Sequence, residues 1–142
     1  MNSVRTIARL SRILERACTE LTLPQYRLLA LVADADERAS ALAGRLALSK
    51  PTITAAVDGL VDRGLVTRAV VEGDRRAVVI RITPAGKKAL AAAERDMNER
   101  LQTVLDRCAD PTAVVAAIDQ LRQALDDAMA ERMAAGTAGV AR

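Results

Sequence analysis

The sequence predicts a mainly α-helical fold of six helices, with a small β-hairpin between the fourth and fifth. Three observations lead to this prediction. The chain is rich in alanine and leucine and holds only seven glycines and four prolines among 142 residues, which favours helix. Long stretches repeat apolar residues at helical spacing. Only residues 65–83 change to the valine-rich alternation typical of strands. The length is that of one domain.

The first helix is predicted over residues 3–21. Ile7, Leu10 and Leu14 lie on one stripe of this helix, continued by Ala17 and Leu21, while four arginines lie mainly off it. The second helix is predicted over residues 23–33. Its start resembles a capping box, in which Thr22 and Gln25 bond each other's backbone amides.

A third helix over residues 39–46 and a turn at Ala47 and Leu48 lead to a fourth helix. Ser49 is a favourable N-cap for this fourth helix, and Pro51 fits its first turn. Gly64 is expected to end it in a left-handed conformation. Two strands, residues 65–71 and 77–83, then enclose a turn at residues 72–76. Two short helices followed by such a hairpin have the order of a winged helix-turn-helix.

The fifth helix is predicted to begin at Pro84, capped by Thr83, and to reach about residue 107. Leu90, Met97, Leu101, Val104 and Cys108 give it a heptad-like seam. The sixth helix starts after the Asp110-Pro111 pair and reaches residue 133, with a flexible tail over residues 134–142. Its apolar stripe includes Val114, Ile118, Leu121 and Leu125.

Three apolar stripes on long helices exceed what one small lobe can cover, so we expect a dimer. Residues 1–21 and 84–133 would form the dimerisation region, and residues 22–83 the DNA-binding lobe. The dimer contacts are expected at Ile7, Leu10, Leu14, Val114, Ile118, Leu121 and Leu125. The alternative is that the long helices pack on each other within one chain.

Charge is concentrated in the middle of the chain. Residues 38–88 hold ten basic and four acidic residues, a net +6, whereas residues 1–37 are neutral and residues 89–142 carry a net −3. A basic segment between neutral and acidic flanks is typical of a surface that binds a polyanion. An ordinary solvated surface is the alternative.

Composition excludes several classes of function. Histidine is absent, which rules out histidine-containing zinc sites and Ser-His-Asp catalysis, and no other catalytic constellation, metal site or cofactor motif is recognisable. Tyr26 is the only aromatic residue, which argues against base stacking with single strands. No apolar run approaches the roughly 18 residues of a membrane span, and no signal peptide is recognisable, so we expect a cytoplasmic protein without membrane contact.

The start of the fourth helix has the features of a helix that enters the major groove. Short polar and basic side chains there can donate to bases or phosphates, and the helix N-terminus adds its amides and dipole. The alternative is that these residues only cap the helix and face solvent. The candidates for DNA contact are Ser49, Lys50, Pro51, Thr52, Thr54 and Ala55.

The hairpin tip strengthens the interpretation. Arg75 and Arg76 at an exposed turn have few folding reasons to be there, and arginine gains from the negative potential of a narrow minor groove. Asp74 can hold one of these arginines by a charge-assisted bond. A solvated turn with an incidental ion pair is the alternative.

Over nearly its whole length, the chain resembles the MarR family of winged helix-turn-helix regulators. The resemblance rests on LTLPQYRLLALV in the second helix, LAGRLALSKPTITAAVDGLVDRGLVTR through the fourth, and GDRRAVVIRITPAGKKAL from the hairpin into the fifth. It implies an obligate homodimer that binds a pseudo-palindromic operator in double-stranded DNA, with Arg76 in the minor groove and Asp74 orienting it. It also implies a ligand site between the dimerisation region and the DNA-binding lobe. Ala55 departs from the family, in which this position is often long and polar.

We therefore expect a transcriptional regulator, a repressor released by a small apolar or phenolic effector. One alternative is a redox switch through Cys18 or Cys108, although free cysteines are commonly inert core residues. Another is a winged-helix protein-interaction module that does not bind DNA.

Overall fold

The structure is a computed structural model that describes the backbone of residues 2–139 and the side chains of residues 2–135. Within this part of the chain there are six α-helices and one three-stranded sheet. The chain divides into two compact units, Met1–Leu101 and Gln102–Arg142. The mainly helical fold with a β-hairpin wing is therefore confirmed.

The first two helices start at the predicted residues, and Asn2 caps the first. Helix α1 spans Ser3–Ala17, and α2 spans Leu23–Asp34. The predicted capping box of α2 is present, since the Gln25 amide donates to the Thr22 hydroxyl at 3.3 Å and the Thr22 amide to the Gln25 side chain at 3.1 Å. Helix α1 ends four residues earlier than predicted, because the backbone becomes extended at Cys18. Leu21 consequently leaves the α1 stripe and is buried in the core.

The core of the first unit lies where α2 and the fourth helix meet the sheet. Helix α3 spans Leu42–Leu46 after a short 3-10 turn at Ala39–Ala41, and α4 spans Lys50–Asp62. Ala47, in the left-handed region at φ 51°, turns the chain between these two helices. The fully buried large side chains of this core are Leu28, Leu29, Val32, Leu42, Leu60, Val66 and Ile80.

The sheet has three strands rather than the predicted two. Strands β2 (Val66–Val71) and β3 (Asp74–Ile82) form the hairpin, and β1 (Glu37–Arg38) pairs antiparallel with the outer side of β3. The connecting turn is only Glu72-Gly73, with Gly73 at φ 87°. The turn predicted over residues 72–76 was therefore too long, because Val71 already pairs with Asp74 beside a β-bulge.

A close joint connects the hairpin to the fifth helix, α5 (Pro84–Leu105). The Thr83 hydroxyl donates to the Gly64 carbonyl at 2.7 Å and accepts from the Gly86 amide at 3.0 Å. The Thr83 amide donates to the Leu65 carbonyl at 3.1 Å. A Cβ on Gly86 would lie 2.0 Å from that Leu65 oxygen, so only glycine allows this approach. The Gly64 conformation predicted to end α4 is confirmed at φ 69°.

The second unit is dominated by α6 (Pro111–Gly139), whose first turn is capped by the Asp110 carboxylate. Cys108 lies in the connection before α6, not at the end of α5 as predicted. Helix α6 also continues beyond the predicted end at residue 133. Of the predicted flexible tail, residues 140–142 lie outside the described residues.

Candidate nucleic-acid interface

The N-terminus of α4 is built around a bonded pair of hydroxyls. The Ser49 hydroxyl accepts from the Thr52 amide at 3.3 Å, and the two hydroxyl oxygens are 2.7 Å apart. The predicted N-cap is therefore present. Because Ser49 and Thr52 already bond each other, they have less capacity left for bases than their side chains suggest.

The other candidates on α4 are exposed. Lys50, Pro51, Thr54 and Ala55 all face solvent, and Lys50 is the only one with a long side chain. The structure thus brings all six candidates to one end of the helix, and five of them have short, uncharged side chains. Side chains of such limited reach could make few direct contacts with base edges.

The C-terminal part of α4 contacts two neighbouring elements. Gln25, at the start of α2, lies so close to Gly59 that a Cβ there would come within 2.7 Å of its side-chain nitrogen. On the outer face, the Arg68 guanidinium on β2 forms an ion pair with Asp58. These contacts attach the helix to both α2 and the hairpin, so the two candidate DNA-contacting elements form one assembly.

The wing tip differs from the prediction in one contact. The Asp74 carboxylate accepts a hydrogen bond from the Arg76 backbone amide at 3.0 Å, and among the described residues it forms no ion pair with Arg75 or Arg76. Asp74 therefore organises the backbone of the tip rather than an arginine side chain. Both arginines are exposed, and they lie in the irregular part of β3, between the pairs Val71–Asp74 and Val70–Val78.

Arg76 borders a groove that sequence reasoning missed. The groove, about 360 Å³, lies between the wing and the segment containing β1, where Arg38 and Ser40 join Asp74 and Arg76. Arg38 is placed there by the pairing of β1 with β3, Arg38 opposite Val79. No local sequence signal reveals this pairing, because the partners are some forty residues apart.

Ion pairing separates the cations of the basic segment into two groups. Four arginines have carboxylate partners: Arg45 with Glu37, Arg63 with Glu20, Arg68 with Asp58 and Arg81 with Asp36. Within the described residues, the other six form no ion pair. These unpaired cations are Arg38, Lys50, Arg75, Arg76, Lys87 and Lys88.

The residues predicted for dimerisation lie on two apolar stripes, each described within its own unit. On α1, Ile7 is 58% exposed, and Leu10 and Leu14 are half-buried. On α6, Val114 is half-buried and the stripe becomes more exposed along the helix. Ile118, Leu121 and Leu125 are 39%, 56% and 70% exposed.

The two cysteines have different surroundings. The Cys18 thiol lies 3.4 Å from the Leu21 carbonyl, to which it donates, and packs against the core. Cys108 is half-buried, with its sulfur 3.7 Å from the Val104 carbonyl. Among the described residues, no group of histidine, cysteine and acidic side chains could hold a metal ion. No helix in this part of the chain is long and apolar enough to cross a membrane.

A cavity of about 400 Å³ opens between α1, α2 and α5 within the first unit. Tyr26 of α2 lines it. Burial raises the pKa of the Tyr26 phenol, and the Glu94 carboxylate and Cys18 raise it further. The phenol therefore stays protonated across the neutral range. Sequence reasoning expected a ligand site in this region from the family resemblance but named none of its residues.

Comparison with known proteins agrees with this architecture. Residues 19–77 match the family model described as "MarR family". BldR from Sulfolobus solfataricus is 25% identical, with 87% of this chain and 91% of that chain covered and a TM-score of 0.69. No curated protein sequence matches the chain.

Two further structures show the same fold at lower identity. Apo MarR from Escherichia coli is 19% identical, with 88% of this chain and 97% of that chain covered and a TM-score of 0.70. BpsR from Bordetella bronchiseptica, whose DNA binding is regulated by 6-hydroxynicotinic acid, is 22% identical, with 86% and 89% covered and a TM-score of 0.67. The family match covers residues 19–77, and beyond that segment the similarity to these transcriptional regulators is one of fold.

Proposed function

We propose that this protein is a homodimeric transcriptional repressor that binds a pseudo-palindromic site in double-stranded DNA and is released by a small-molecule effector. The distribution of unpaired cations carries the proposal. Ion pairs neutralise four of the ten basic residues between positions 38 and 88, and the six that remain include the first residue of α4 and two adjacent residues of the wing tip. Unpaired cations at a helix N-terminus and a wing are suited to phosphates and the minor groove.

The two reading elements would divide the recognition between them. The start of α4 offers Lys50, the exposed Thr54 hydroxyl and the small surfaces of Pro51 and Ala55, which suit phosphate and thymine-methyl contacts. Arg76 at the wing supplies a guanidinium group, which α4 lacks because Lys50 is its only cationic residue. The protein would therefore depend on minor-groove shape as much as on base edges.

The apolar stripes of α1 and α6 support the dimer. A charged or polar residue would cost little at such exposed positions, yet Ile7, Leu121 and Leu125 are large and apolar. A twofold pairing would repeat the reading helix about one DNA turn away, roughly 34–36 Å. An effector that favours a different separation of the two helices would lower the affinity for DNA.

The experiment is an electrophoretic mobility shift with the promoter fragment of the regulated gene and with random duplex. Arg76→Gln is compared with Arg81→Gln, which removes the same charge from a residue already paired with Asp36. We expect Arg76→Gln to weaken specific binding by about tenfold or more and Arg81→Gln to stay within about twofold. Circular dichroism confirms that both variants fold.

Equal losses in the two variants would mean that only net charge matters and would refute the wing assignment. No duplex binding by the parent protein, even at low salt, would refute the DNA-binding function. It would favour the protein-interaction module instead. The thiol alternative is tested with Cys18→Ser and Cys108→Ser. If peroxide releases DNA from the parent protein but not from one of these variants, a redox switch would take the place of the small-molecule effector.

A further inference from the structure

The cavity between α1, α2 and α5 has polar groups on all three of its walls. Glu15 comes from α1, Tyr26 and Arg27 from α2, and Glu94 from α5, above apolar surface from side chains such as Met97. All five belong to the first compact unit. At about 400 Å³, the cavity is large enough for a small organic molecule.

The charges that line the cavity are not used by the fold. Within the described residues, Glu15, Glu94 and Arg27 form no ion pair, although arginines and carboxylates elsewhere on the lobe pair repeatedly. Two carboxylates against one guanidinium give the lining a net negative charge. A ligand anion placed here would meet both glutamates and could pair only with Arg27, whereas a cation would find a carboxylate on either of two helices.

Tyr26 adds a third feature that suits a cation. It is the only aromatic residue of the entire chain, and it lies in this cavity. Burial, with Glu94 and Cys18 adding to it, raises the pKa of its phenol, so the ring remains neutral. A neutral aromatic face attracts an ammonium group, and nearby carboxylates reinforce the attraction.

We propose that the effector is an organic cation, a small amine with an apolar body. Its ammonium group lies among Glu15, Glu94 and the Tyr26 ring, and its apolar part lies against Met97 and the neighbouring leucines. This inference deepens the proposed function, because it names the chemical class of the effector. It differs from the expectation of an apolar or phenolic compound, since neither would pair with the carboxylates of the lining.

Three ligands of nearly the same shape test the charge preference: 2-cyclohexylethylamine, 3-cyclohexylpropionate and 2-cyclohexylethanol. None of them absorbs where tyrosine does. Tyr26 therefore serves as an intrinsic fluorescent reporter of this cavity alone, without DNA present. We expect the amine to bind about tenfold more tightly than the alcohol and the carboxylate to bind more weakly than either.

Matched variants separate a specific site from general charge attraction. The double change Glu15→Gln with Glu94→Gln is expected to weaken amine binding by about tenfold. Glu131→Gln, on an exposed position of α6 outside the cavity, removes a carboxylate without effect. Equal affinity for amine and carboxylate, or equal losses in the two proteins, would overturn the proposal.

A second measurement keeps this inference separate from the proposed function. The mobility shift is repeated with saturating amine, and we expect release of duplex DNA that the Glu15→Gln/Glu94→Gln protein does not show. Normal DNA binding without any amine-dependent fluorescence change would refute only the ligand class. Amine binding in a protein that binds no DNA would refute only the proposed function.

Discussion

At the wing tip, a single carboxylate determines how two arginines are presented. Asp74 accepts a hydrogen bond from the Arg76 amide and thereby fixes the backbone immediately after Gly73, where both arginines are exposed. The sequence predicts that Asp74 matters but not which Arg76 group it bonds, because a carboxylate followed two residues later by arginine suits either bond. The net +6 of the basic segment is likewise readable from the sequence, but its ion pairs are not. Four of its arginines pair with acidic residues that only the fold brings near.

Gly86 provides a prediction about stability at the residue scale. Gly86→Ala places a Cβ 2.0 Å from the backbone oxygen of Leu65, which cannot move without displacing β2. We expect the free energy of unfolding to fall by about 3 kcal/mol. The measurement is urea denaturation at a fixed protomer concentration, because dimerisation contributes to apparent stability.

Gly44→Ala is the control for this change. Gly44 lies in α3, and a Cβ there meets no atom within 4 Å. We expect stability to stay constant or to rise by up to about 1 kcal/mol, the helix-propensity difference between alanine and glycine. A loss in Gly44→Ala as large as that in Gly86→Ala would show that the close approach to Leu65 is not the cause.

At the scale of elements, starts of helices were predictable and distant pairings were not. Thr22, Ser49, Thr83 and Asp110 all cap the helices that follow them, because a cap bonds amides only two or three residues away. Strand β1 has no such local signature. It consists of two charged residues, Glu37 and Arg38, and exists only because β3 lies beside it.

The exposed stripe of α6 leads to a prediction about assembly. Leu121→Asp places a charge in the middle of the stripe, where Leu121 is 56% exposed in the single chain. If this stripe is the dimer interface, burying an unpaired carboxylate there should dissociate the dimer at micromolar concentration. Light scattering or sedimentation equilibrium gives the mass directly.

Gln123→Asp is the matched control, since it adds the same charge to an exposed position on the opposite side of α6. It should leave the mass unchanged. A dimer that persists in Leu121→Asp would exclude this stripe from the interface, and the alternative in which the long helices pack within one chain would gain support.

At the scale of the whole molecule, charge is divided between regions in a way that composition already revealed. The unpaired cations lie in the segment with net +6, while residues 89–142 are acidic. Pairing two chains would repeat both regions about a twofold axis. The fold was predictable at this scale because the spacing of apolar residues, the helix caps and the charge distribution all indicated the same order of elements. The groove at Arg38 and the cavity at Tyr26 depend instead on contacts between distant segments.

Salt dependence tests this charge distribution. If each protomer of a dimer presents six unpaired cations and about half of them contact phosphates, affinity for duplex should fall by about a thousandfold between about 50 mM and about 200 mM salt. Fluorescence anisotropy with labelled duplex measures the slope. Arg75→Gln removes one cation from each protomer and should reduce the slope by about two, while affinity that is independent of salt would contradict an electrostatic interface.

The joint at Gly86 has a mechanical consequence. With no space for a Cβ and with Thr83 bonded to both Gly64 and Gly86, the wing and the first turns of α5 have no hinge between them. The wing and these turns of α5 are therefore expected to move as one rigid body. From Gly86 to Leu101 the helix is about 22 Å long, so a rotation of about ten degrees at one end displaces the other by about 4 Å. A ligand that turns α5 slightly would therefore move the proposed DNA-binding surface of the wing with it, and no bending at the joint would absorb the motion.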